Sequence, residues 1–374
     1  MSNPPLLDRF ADPALISTLL SKLLVQPART LRFMEVCGTH TMAIFQSGLR
    51  SPLADKGIEL LSGPGCPVCV TAQEDIDLAL YIASDPQVTF CTFGDMMRVP
   101  GTVHSLSDLK AEGADVRVVY SPLDALTLAR QDPRRRVVFL AIGFETTVPA
   151  IASTVLEAVQ EQLTNFFILP AHKTIPEAML LLAKHPELQL DGFICPGHVS
   201  VIIGEQAYQP VVEQGKAPCV ITGFEPLDIL RGIGGLVRQV EEQTARVENA
   251  YSRVVKPEGN PQAQSMIQLV FAPATVKWRG LGAIEHSGLA LKPEYQQFDI
   301  RQFYREFSPP PPDPRQSKCR CGEVLLGKIK PPECALFGKG CTPDEPLGAC
   351  MVSQEGSCQA YYRYRHWEGA NAGQ

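Results

Sequence analysis

The sequence lacks a long apolar run. The strongest one, from Val137 to Phe144, has the length of a single strand. A membrane-spanning helix needs roughly 20 apolar residues. The N-terminal segment carries charges and prolines early and has no apolar core of the signal-peptide kind. We therefore expect a cytoplasmic protein without a membrane span.

Charged residues are also few, at 20% of the 374-residue chain, whereas apolar residues make up 45%. This balance excludes a disordered chain, and the length predicts two or three domains. The net charge of -6 argues against nucleic acid as a partner. Neither a P-loop nor a GxGxxG pattern occurs, so we predict no P-loop nucleotide site.

Cysteine, by contrast, is abundant. The chain has 12 cysteines, and six of them lie in residues 319–358, beyond the proline-rich stretch Ser308–Pro314. In a large cytosolic chain, so many cysteines indicate metal binding or redox chemistry rather than a disulfide framework. The proline-rich stretch marks the boundary at which the character of the chain changes.

Short apolar runs alternate with segments of helical periodicity, a pattern typical of βαβ units and parallel sheets. The number of units allows one barrel or two doubly wound sheets. A weak internal repeat favours two sheets, because the tripeptide GFE at residues 143–145 recurs at residues 223–225. We expect α/β units over residues 1–122 and 123–255, which can exchange segments, and a third unit over residues 256–374, cysteine-rich from residue 319.

The tetrapeptide CGTH at residues 37–40 follows the predicted strand Leu31–Val36 and precedes a helical stretch. At such a position Cys37 is favoured as a thiolate, because backbone N–H groups and the helix dipole stabilise the anion. Parallel sheets also carry their sites at this edge, and His40 can lie on the same face. The alternative is a buried cysteine beside a hydrogen-bonded histidine.

The heptapeptide GPGCPVC at residues 63–69 follows the next predicted strand. Its glycines allow a tight turn, and Pro67 suits the first turn of a helix. Cys66 and Cys69 at a helix start have the geometry of a dithiol redox pair or of iron ligands. The alternative is a structural zinc site that Cys37 and His40 would complete.

Other polar residues end predicted strands on the same presumed edge, and we expect some of them to line a cleft: Asp95, Glu145, His172 and His198. Taken singly, each residue of this kind is more often a helix cap or a satisfied polar group. Cys91 and Cys219 lie in or beside apolar strands and are expected to be core thiols.

The tail has no paired CxxC knuckles of the zinc-ribbon kind, although it carries six cysteines: Cys319, Cys321, Cys334, Cys341, Cys350 and Cys358. Four thiolates for an iron–sulfur cluster, with two cysteines left over, is the favoured interpretation. A four-cysteine structural zinc site is the alternative. Many prolines and glycines indicate a loop-rich module that is held by metal rather than by a core.

Together these features resemble the hydrogenase maturation factor HypD family. The resemblance runs in order over residues 31–364, and the motifs that carry it are CGTH, GPGCPVC, GFETT at 143–147, CPGHVS at 195–200 and the six-cysteine tail. The resemblance implies two Rossmann-like α/β domains around a cleft and a small iron–sulfur domain with a [4Fe-4S] cluster. It implies a role in building the Fe(CN)2CO unit of nickel–iron hydrogenases. The implied partners are a HypC-like chaperone and HypE, which delivers cyanide and receives its carbamoyl precursor through HypF.

The resemblance also implies roles for single residues. Cys37 becomes the thiolate that ligates the iron of the Fe(CN)2CO unit, with Thr39 and His40 beside it. Cys66 and Cys69 become a redox pair. This is sensible chemistry, because low-spin iron with cyanide and CO favours soft sulfur donors, and attaching these ligands needs electrons.

In the tail, six cysteines compete for four places on the cluster. Cys319 and Cys321 share one face if the chain is extended and diverge if it turns. A turn would let one thiol face the cluster and the other a partner thiol. The expected cluster ligands are Cys319, Cys334, Cys341 and Cys358, and the expected disulfide-capable pair is Cys321 and Cys350.

We therefore predict an iron-assembly scaffold with redox-active thiols rather than an enzyme with conventional turnover. One alternative is a cytosolic thiol–disulfide reductase fed by the tail cluster. Another is a metal-stabilised α/β binding protein with structural zinc.

Overall fold

Strands and helices alternate along the chain in the computed structural model, which describes residues 12–23, 29–314 and 316–364. The strands in this part of the chain are β1 (Leu31–Glu35), β2 (Ile58–Ser62), β3 (Val88–Thr92), β4 (Val116–Val118), β5 (Arg136–Ala141), β6 (Phe166–Pro170), β7 (Gly192–Cys195), β8 (Cys219–Ile221), β9 (Val247–Asn249), β10 (Phe271–Trp278) and β11 (Gly282–Leu291).

The helices over the same residues are α1 (Pro13–Lys22), α2 (Gly38–Gln46), α3 (Arg50–Ala54), α4 (Pro67–Val70), α5 (Gln73–Ala83), α6 (Leu106–Ala111), α7 (Pro122–Gln131), α8 (Val148–Gln160), α9 (Ile175–Ala183), α10 (Gly197–Ile203), α11 (Gln209–Gly215), α12 (Pro226–Glu241), α13 (Pro261–Val270), α14 (Cys321–Leu325), α15 (Ala349–Val352) and α16 (Ser357–Tyr364). None of these described helices is both long enough and apolar enough to cross a membrane.

Two parallel sheets form the body of the molecule. One has five strands in the order β2-β1-β7-β8-β9, and the other has four in the order β4-β3-β5-β6. Strands β10 and β11 pair as an antiparallel hairpin. This arrangement confirms the predicted α/β class and its parallel sheets, while the cleft and the iron–sulfur character of the tail stay predictions.

The chain interleaves the two sheets. It leaves the five-stranded sheet after β2, builds the whole four-stranded sheet with β3 to β6, and then returns with β7 to β9. The boundary that we drew at residue 122 falls between β4 and β5, which belong to the same sheet, so the sheets do not divide the chain there. Local periodicity indicates where a strand lies but does not encode its partner.

Buried apolar strands explain why these sheets form. All five residues of β3 and of β6 are buried, as in a sheet that helices cover on both faces. Helix α12 is strongly amphipathic and buries Ile229, Ile233 and Leu236. These side chains pack with Ile194 and Val220 of β7 and β8, so the core of the five-stranded sheet lies beneath this helix.

The edge of the five-stranded sheet gathers the cysteine motifs. Strands β2, β1, β7 and β8 are parallel neighbours, so their carboxyl ends lie along one edge. GPGCPVC follows β2, CGTH follows β1, and CPGHVS overlaps the end of β7. The tail then packs onto the same region, because α15 lies against α4 and α16 lies against α2.

Candidate functional site

The CGTH loop begins helix α2. Cys37 is the residue that precedes the helix, and its extended backbone lets its carbonyl oxygen accept the Thr41 amide at 3.1 Å. The Gly38 amide donates to the carbonyl oxygen of Gly65 at 2.9 Å. The first motif is therefore tied by its backbone to the second one.

The Cys37 thiol is buried, with only 9% of the residue exposed. Burial raises its pKa to about 11, although hydrogen bonds from the backbone of His40 and from Thr39 act in the opposite direction. Our expectation of a thiolate is therefore wrong for the metal-free protein. The helix start does favour the anion, but desolvation is the larger effect.

His40 turns away from the thiol and into the five-stranded sheet. Its Nε2 lies 3.0 Å from the Gly223 carbonyl oxygen and 2.9 Å from the Thr222 hydroxyl. A carbonyl can only accept, so Nε2 carries the proton and Nδ1 is bare. Nδ1 has no hydrogen-bond partner among the described residues. Burial lowers the pKa of His40 to about 4, so the imidazole is neutral at physiological pH.

The second motif forms the short helix α4, with Pro67 in its first turn as predicted. Cys66 and Cys69 are joined by a disulfide, with 5.3 Å between their Cα atoms. The Cys69 amide also points at the Cys66 sulfur, at 3.2 Å. The two sulfurs are thus close enough to be joined, as a dithiol redox pair requires.

A buried ion pair that the sequence reasoning missed supports both loops. Glu35, two residues before Cys37, is fully buried and is bonded to Arg50 and, at 2.9 Å, to the Ser62 hydroxyl. Burial raises the Glu35 pKa, and the Arg50 charge opposes that rise. A carboxylate directly after the apolar residues Phe33 and Met34 of the strand was the signal that could have identified it.

Glu355 of the tail reaches the first motif and was also missed. Its carboxylate accepts a hydrogen bond from the Thr39 hydroxyl at 2.7 Å. A Cβ on Gly38 would lie 2.4 Å from the Cβ of Glu355, so only glycine fits there. No local pattern marks Glu355, because its importance arises from the docking of the tail.

The tail thiols form a connected group. Cys319 lies beside Cys321, Cys321 lies beside Cys350, and Cys350 lies beside Cys358, each pair close enough for one thiol to change the pKa of the other. Cys341 lies close enough to Cys319 for that thiol to raise its pKa, although burial is the larger cause. Cys321 and Cys350 are therefore neighbours as free thiols, and each also has a further tail cysteine beside it.

These residues fit a thiolate-bound cluster by their chemistry. No group of three or more His, Cys, Asp or Glu side chains within residues 12–23, 29–314 and 316–364 is placed to hold a metal ion. A [4Fe-4S] cluster takes four cysteine thiolates, and the tail contains six cysteines. Gly348 leaves space beside two of the sulfurs, since a Cβ there would lie 2.9 Å from the Cys319 sulfur and 3.7 Å from that of Cys321. Cys334 is half-buried and is also close to Cys341.

The structure brings His198 to the first motif but leaves Asp95 apart. His198 is exposed, and its ring lies 4.2 Å from that of Phe224, which contacts the His40 ring at 4.6 Å on its other side. Asp95 is exposed beyond β3 in the other sheet. In the part of the chain that the structure describes, no hydrogen bond or ion pair joins it to residues 37–69.

Glu145 and His172 lie at the carboxyl edge of the four-stranded sheet, following β5 and β6, and both are buried. Glu145 Oε1 accepts the Ile175 amide at 2.9 Å, and burial raises the pKa of this carboxyl to about 8. Burial lowers the pKa of His172 to about 3, and neither ring nitrogen has a partner among the described residues. Cys91 and Cys219 are fully buried, as expected of core thiols.

The chain matches a family model and several curated relatives over most of its length. The family model HypD, described as "Hydrogenase formation hypA family", matches residues 14–365. The hydrogenase maturation factor HypD of Escherichia coli (strain K12) is 48% identical over 345 residues, 91% of each chain. That of Rhodobacter capsulatus is 45% identical over 365 residues, 95% of this chain and 97% of the other.

The similarity extends to a relative that is named differently. The hydrogenase expression/formation protein HupD of Azotobacter chroococcum is 44% identical over 367 residues, 96% of each chain. The match to the family model spans both sheets and the cysteine-rich tail. The chain therefore belongs to the HypD family of hydrogenase maturation factors.

Proposed function

We propose that the chain acts in the cytoplasm as the scaffold on which the Fe(CN)2CO unit of a nickel–iron hydrogenase is assembled and carried. The observation that carries this proposal is the convergence of three elements: the Cys37 loop, the Cys66–Cys69 disulfide and the cysteine-rich tail. A HypC-like chaperone shares the iron, and HypE, supplied through HypF, delivers cyanide.

In this proposal Cys37 holds the iron, which is the substrate. Sulfur is a suitable donor for iron that carries cyanide and CO. The thiol is protonated in the metal-free protein, and a coordinated metal displaces that proton outright. The high pKa thus keeps the sulfur unreactive until iron arrives, while Thr39 ties the loop to Glu355 of the tail.

Cys66 and Cys69 provide the redox chemistry. Opening their disulfide takes two electrons and two protons and yields two thiols one helical turn apart. A [4Fe-4S] cluster held by tail cysteines would supply electrons one at a time when bound. We propose Cys319, Cys334, Cys341 and Cys358 as its ligands, with Cys321 and Cys350 as the neighbouring pair. The packing of α15, which carries Cys350, on α4 supports this route.

Infrared spectroscopy of the complex with a HypC-like chaperone, purified anaerobically, tests the proposal. Cyanide and CO stretches should be present in the wild-type complex and absent from Cys37→Ser. Cys91→Ser is the matched control, because it removes a fully buried thiol in a different core cluster. Cys37→Ser bands at wild-type strength would rule out Cys37 as the essential ligand.

The packing of α15 on α4 also suits the second candidate function, a cluster-linked thiol–disulfide reductase. A reductase needs the Cys66–Cys69 pair but has no use for Cys37. Reduction of a disulfide substrate by the Cys37→Ser protein, with no infrared bands in the wild-type complex, would favour the reductase.

A further inference from the structure

Arg50 lies where the two strands that carry the cysteine motifs meet the tail. It begins helix α3, and its side chain is only 11% exposed. Its guanidinium bonds to Glu35 of β1, shortly before the CGTH loop. It also donates to the Ser62 hydroxyl at 3.0 Å, directly before the GPGCPVC loop, and to the Leu60 carbonyl at 2.8 Å. One side chain therefore holds the carboxyl ends of both strands.

The same guanidinium reaches the last helix of the tail. Its Nη1 donates to the Tyr361 hydroxyl of α16 at 3.1 Å. The central guanidinium carbon lies 5.1 Å from the centre of the Tyr361 ring and 4.5 Å from the centre of the Phe45 ring in α2. These two rings meet edge to face, with 4.7 Å between their centres. The guanidinium is thus in contact with both a helix of the body and a helix of the tail.

The two ends of the guanidinium have different partners. Nη2 bonds to Glu35 and Ser62, whereas Nη1 bonds to Leu60 and Tyr361. A buried carboxylate needs a cation, and the Nη2 end meets that need. The bond from Nη1 to the tail is not required for this purpose. Arg50 therefore does more than neutralise the charge of Glu35.

The contact with Tyr361 lies close to two of the proposed ligands. Cys358 precedes Tyr361 by three residues on α16, so the two side chains lie on neighbouring positions of one helix face. Phe45 belongs to α2, the helix that Cys37 precedes. The tail is already tied to the start of α2 through Thr39. The contact among Phe45, Arg50 and Tyr361 ties it to the other end of the same helix.

We propose that Arg50 is a positioning residue that joins the CGTH strand, the GPGCPVC strand and the tail helix that carries Cys358. This joining role stands on the contacts in the chain itself, and its consequence for a cluster rests on the proposed function. A counterion for Glu35 needs only a positive charge. A joint between the body and the tail also needs the second donor of the planar fork, which lysine lacks.

Two variants of the full chain, purified anaerobically, test the joining role. Tyr361→Phe removes the hydroxyl that accepts from Nη1 and leaves Glu35 with its cation, so amide hydrogen exchange in residues 357–364 should become about tenfold faster. Arg50→Lys should have the same effect on these residues, while its charge keeps exchange slow in residues 31–35 and 58–62. The double variant should exchange no faster than either single variant, because both changes remove the same bond.

Each variant has a matched control. Tyr304→Phe removes a hydroxyl that bonds to Asp85 at 2.8 Å, and Tyr304 lies before the proline-rich stretch, outside the tail. Arg238→Lys alters a guanidinium that pairs with Glu248 beside the five-stranded sheet. Residues 357–364 should exchange at the wild-type rate in both controls.

The exchange rates decide between a joint and a counterion. If residues 357–364 exchange at control rates in Tyr361→Phe and Arg50→Lys, lysine replaces arginine fully and the joining role is overturned. A double variant that exchanges about a hundredfold faster, the product of two independent effects, would overturn it as well. Tyr361→Phe alone decides the matter should Arg50→Lys fail to fold.

The consequence for the cluster is read separately. Because Cys358 lies on α16, iron–sulfur absorbance in the presence of an iron chelator should decay about tenfold faster in Tyr361→Phe than in the wild type. Decay at the wild-type rate would overturn this consequence alone. A wild-type chain without iron or visible iron–sulfur absorbance would defeat the tail assignment of the proposed function, and the exchange rates would still decide whether Arg50 joins the tail to the body.

Discussion

Gly65 and Cys37 touch backbone to backbone. A Cβ at Gly65 would lie 2.1 Å from the Cys37 nitrogen and 2.4 Å from its Cα. The adjoining Gly65 carbonyl accepts the Gly38 amide at 2.9 Å. Because Cys66 directly follows Gly65, this contact fixes the proposed iron ligand relative to the disulfide, and it depends on the absence of a side chain.

Gly65→Ala should therefore destabilise the protein by about 2–4 kcal/mol, since the loops must separate to admit a methyl group. Gly234→Ala is the control, because its new Cβ would meet only the Leu23 side chain at 3.7 Å within a helix. That change should be neutral or stabilising by about 0.5–1 kcal/mol. Urea unfolding followed by circular dichroism measures both, and equal stability of the two variants would contradict the close contact.

The chemistry of Cys37 predicts slow alkylation. With a pKa of about 11, the metal-free thiol has roughly 300-fold less thiolate at pH 7.5 than an ordinary cysteine of pKa 8.5. Iodoacetamide labelling of the metal-free protein, followed by mass spectrometry, should show Cys37 among the slowest cysteines at pH 7.5 and faster as pH rises. Rapid labelling at neutral pH would show that the helix start outweighs burial.

Cys341 provides a test of the tail. Its sulfur accepts the Leu347 amide at 3.3 Å, within a module of short helices that has little core of its own. Cys341→Ala should remove visible iron–sulfur absorbance and loosen the tail, while the far-ultraviolet signal of the α/β body persists. Cys219→Ala is the matched control in the body. Unchanged iron content in Cys341→Ala would show that the proposed ligand set is wrong.

The sequence predicted that the two cysteine motifs follow neighbouring strands, but it did not predict the arrangement of the sheets. The chemistry of CGTH, GPGCPVC and the tail cysteines can be inferred from their residue types alone. The rule that parallel strands end at one sheet edge placed the first two motifs together. The insertion of β3–β6 between β2 and β7 could not be predicted, since strand pairing is a long-range property. The burial of the Cys37 thiol could not be predicted from the sequence either. That burial raises the pKa of Cys37, whereas we expected its position at a helix start to favour the thiolate.

The role of Glu355 was also beyond prediction. Glu355 lies in a segment without a recognisable pattern, and its contact with Thr39 spans 316 residues of sequence. Glu35 differs, because a carboxylate directly after Phe33 and Met34 in a predicted strand is an anomaly that the sequence itself displays. A buried carboxylate needs a cation, and Arg50 meets that need.

His172 should make the protein sensitive to acid. Its pKa is about 3 when folded and about 6.5 when unfolded, so the unfolded chain binds more protons between these values. Stability from this group is therefore lost as pH falls from 6.5 towards 3, by up to about 1.4 kcal/mol per pH unit. His172→Asn should make the pH slope of the urea-unfolding free energy between pH 4.5 and 6.5 less positive than it is in the wild type. A wild-type slope in His172→Asn would contradict burial of a neutral imidazole.

The contribution of Glu145 to the free energy of unfolding should decrease as pH rises, which is the opposite of the effect of His172. Its carboxyl is 5% exposed, Oε2 has no partner among the described residues, and burial raises its pKa to about 8. The folded protein thus holds a proton that the unfolded chain loses near pH 4.5. The stability contributed by this proton is complete below pH 4.5 and is lost as pH rises through 8, again by up to about 1.4 kcal/mol per pH unit.

Glu145→Gln tests this directly, because glutamine keeps the shape of the protonated acid and cannot ionise. Its amide oxygen can still accept the Ile175 amide, so the loop after β5 should stay in place. Urea-unfolding free energies at pH 5.5, 7.0 and 8.5 should decrease with pH in the wild type relative to the variant, because the titration of buried His172 and His40 contributes equally to both proteins. The two proteins should therefore differ most at pH 8.5, where the variant is the more stable. Glu161→Gln, an exposed residue paired with Arg130, should retain the wild-type slope. A Glu145→Gln protein with that same slope would mean that the carboxyl is already ionised in the folded state.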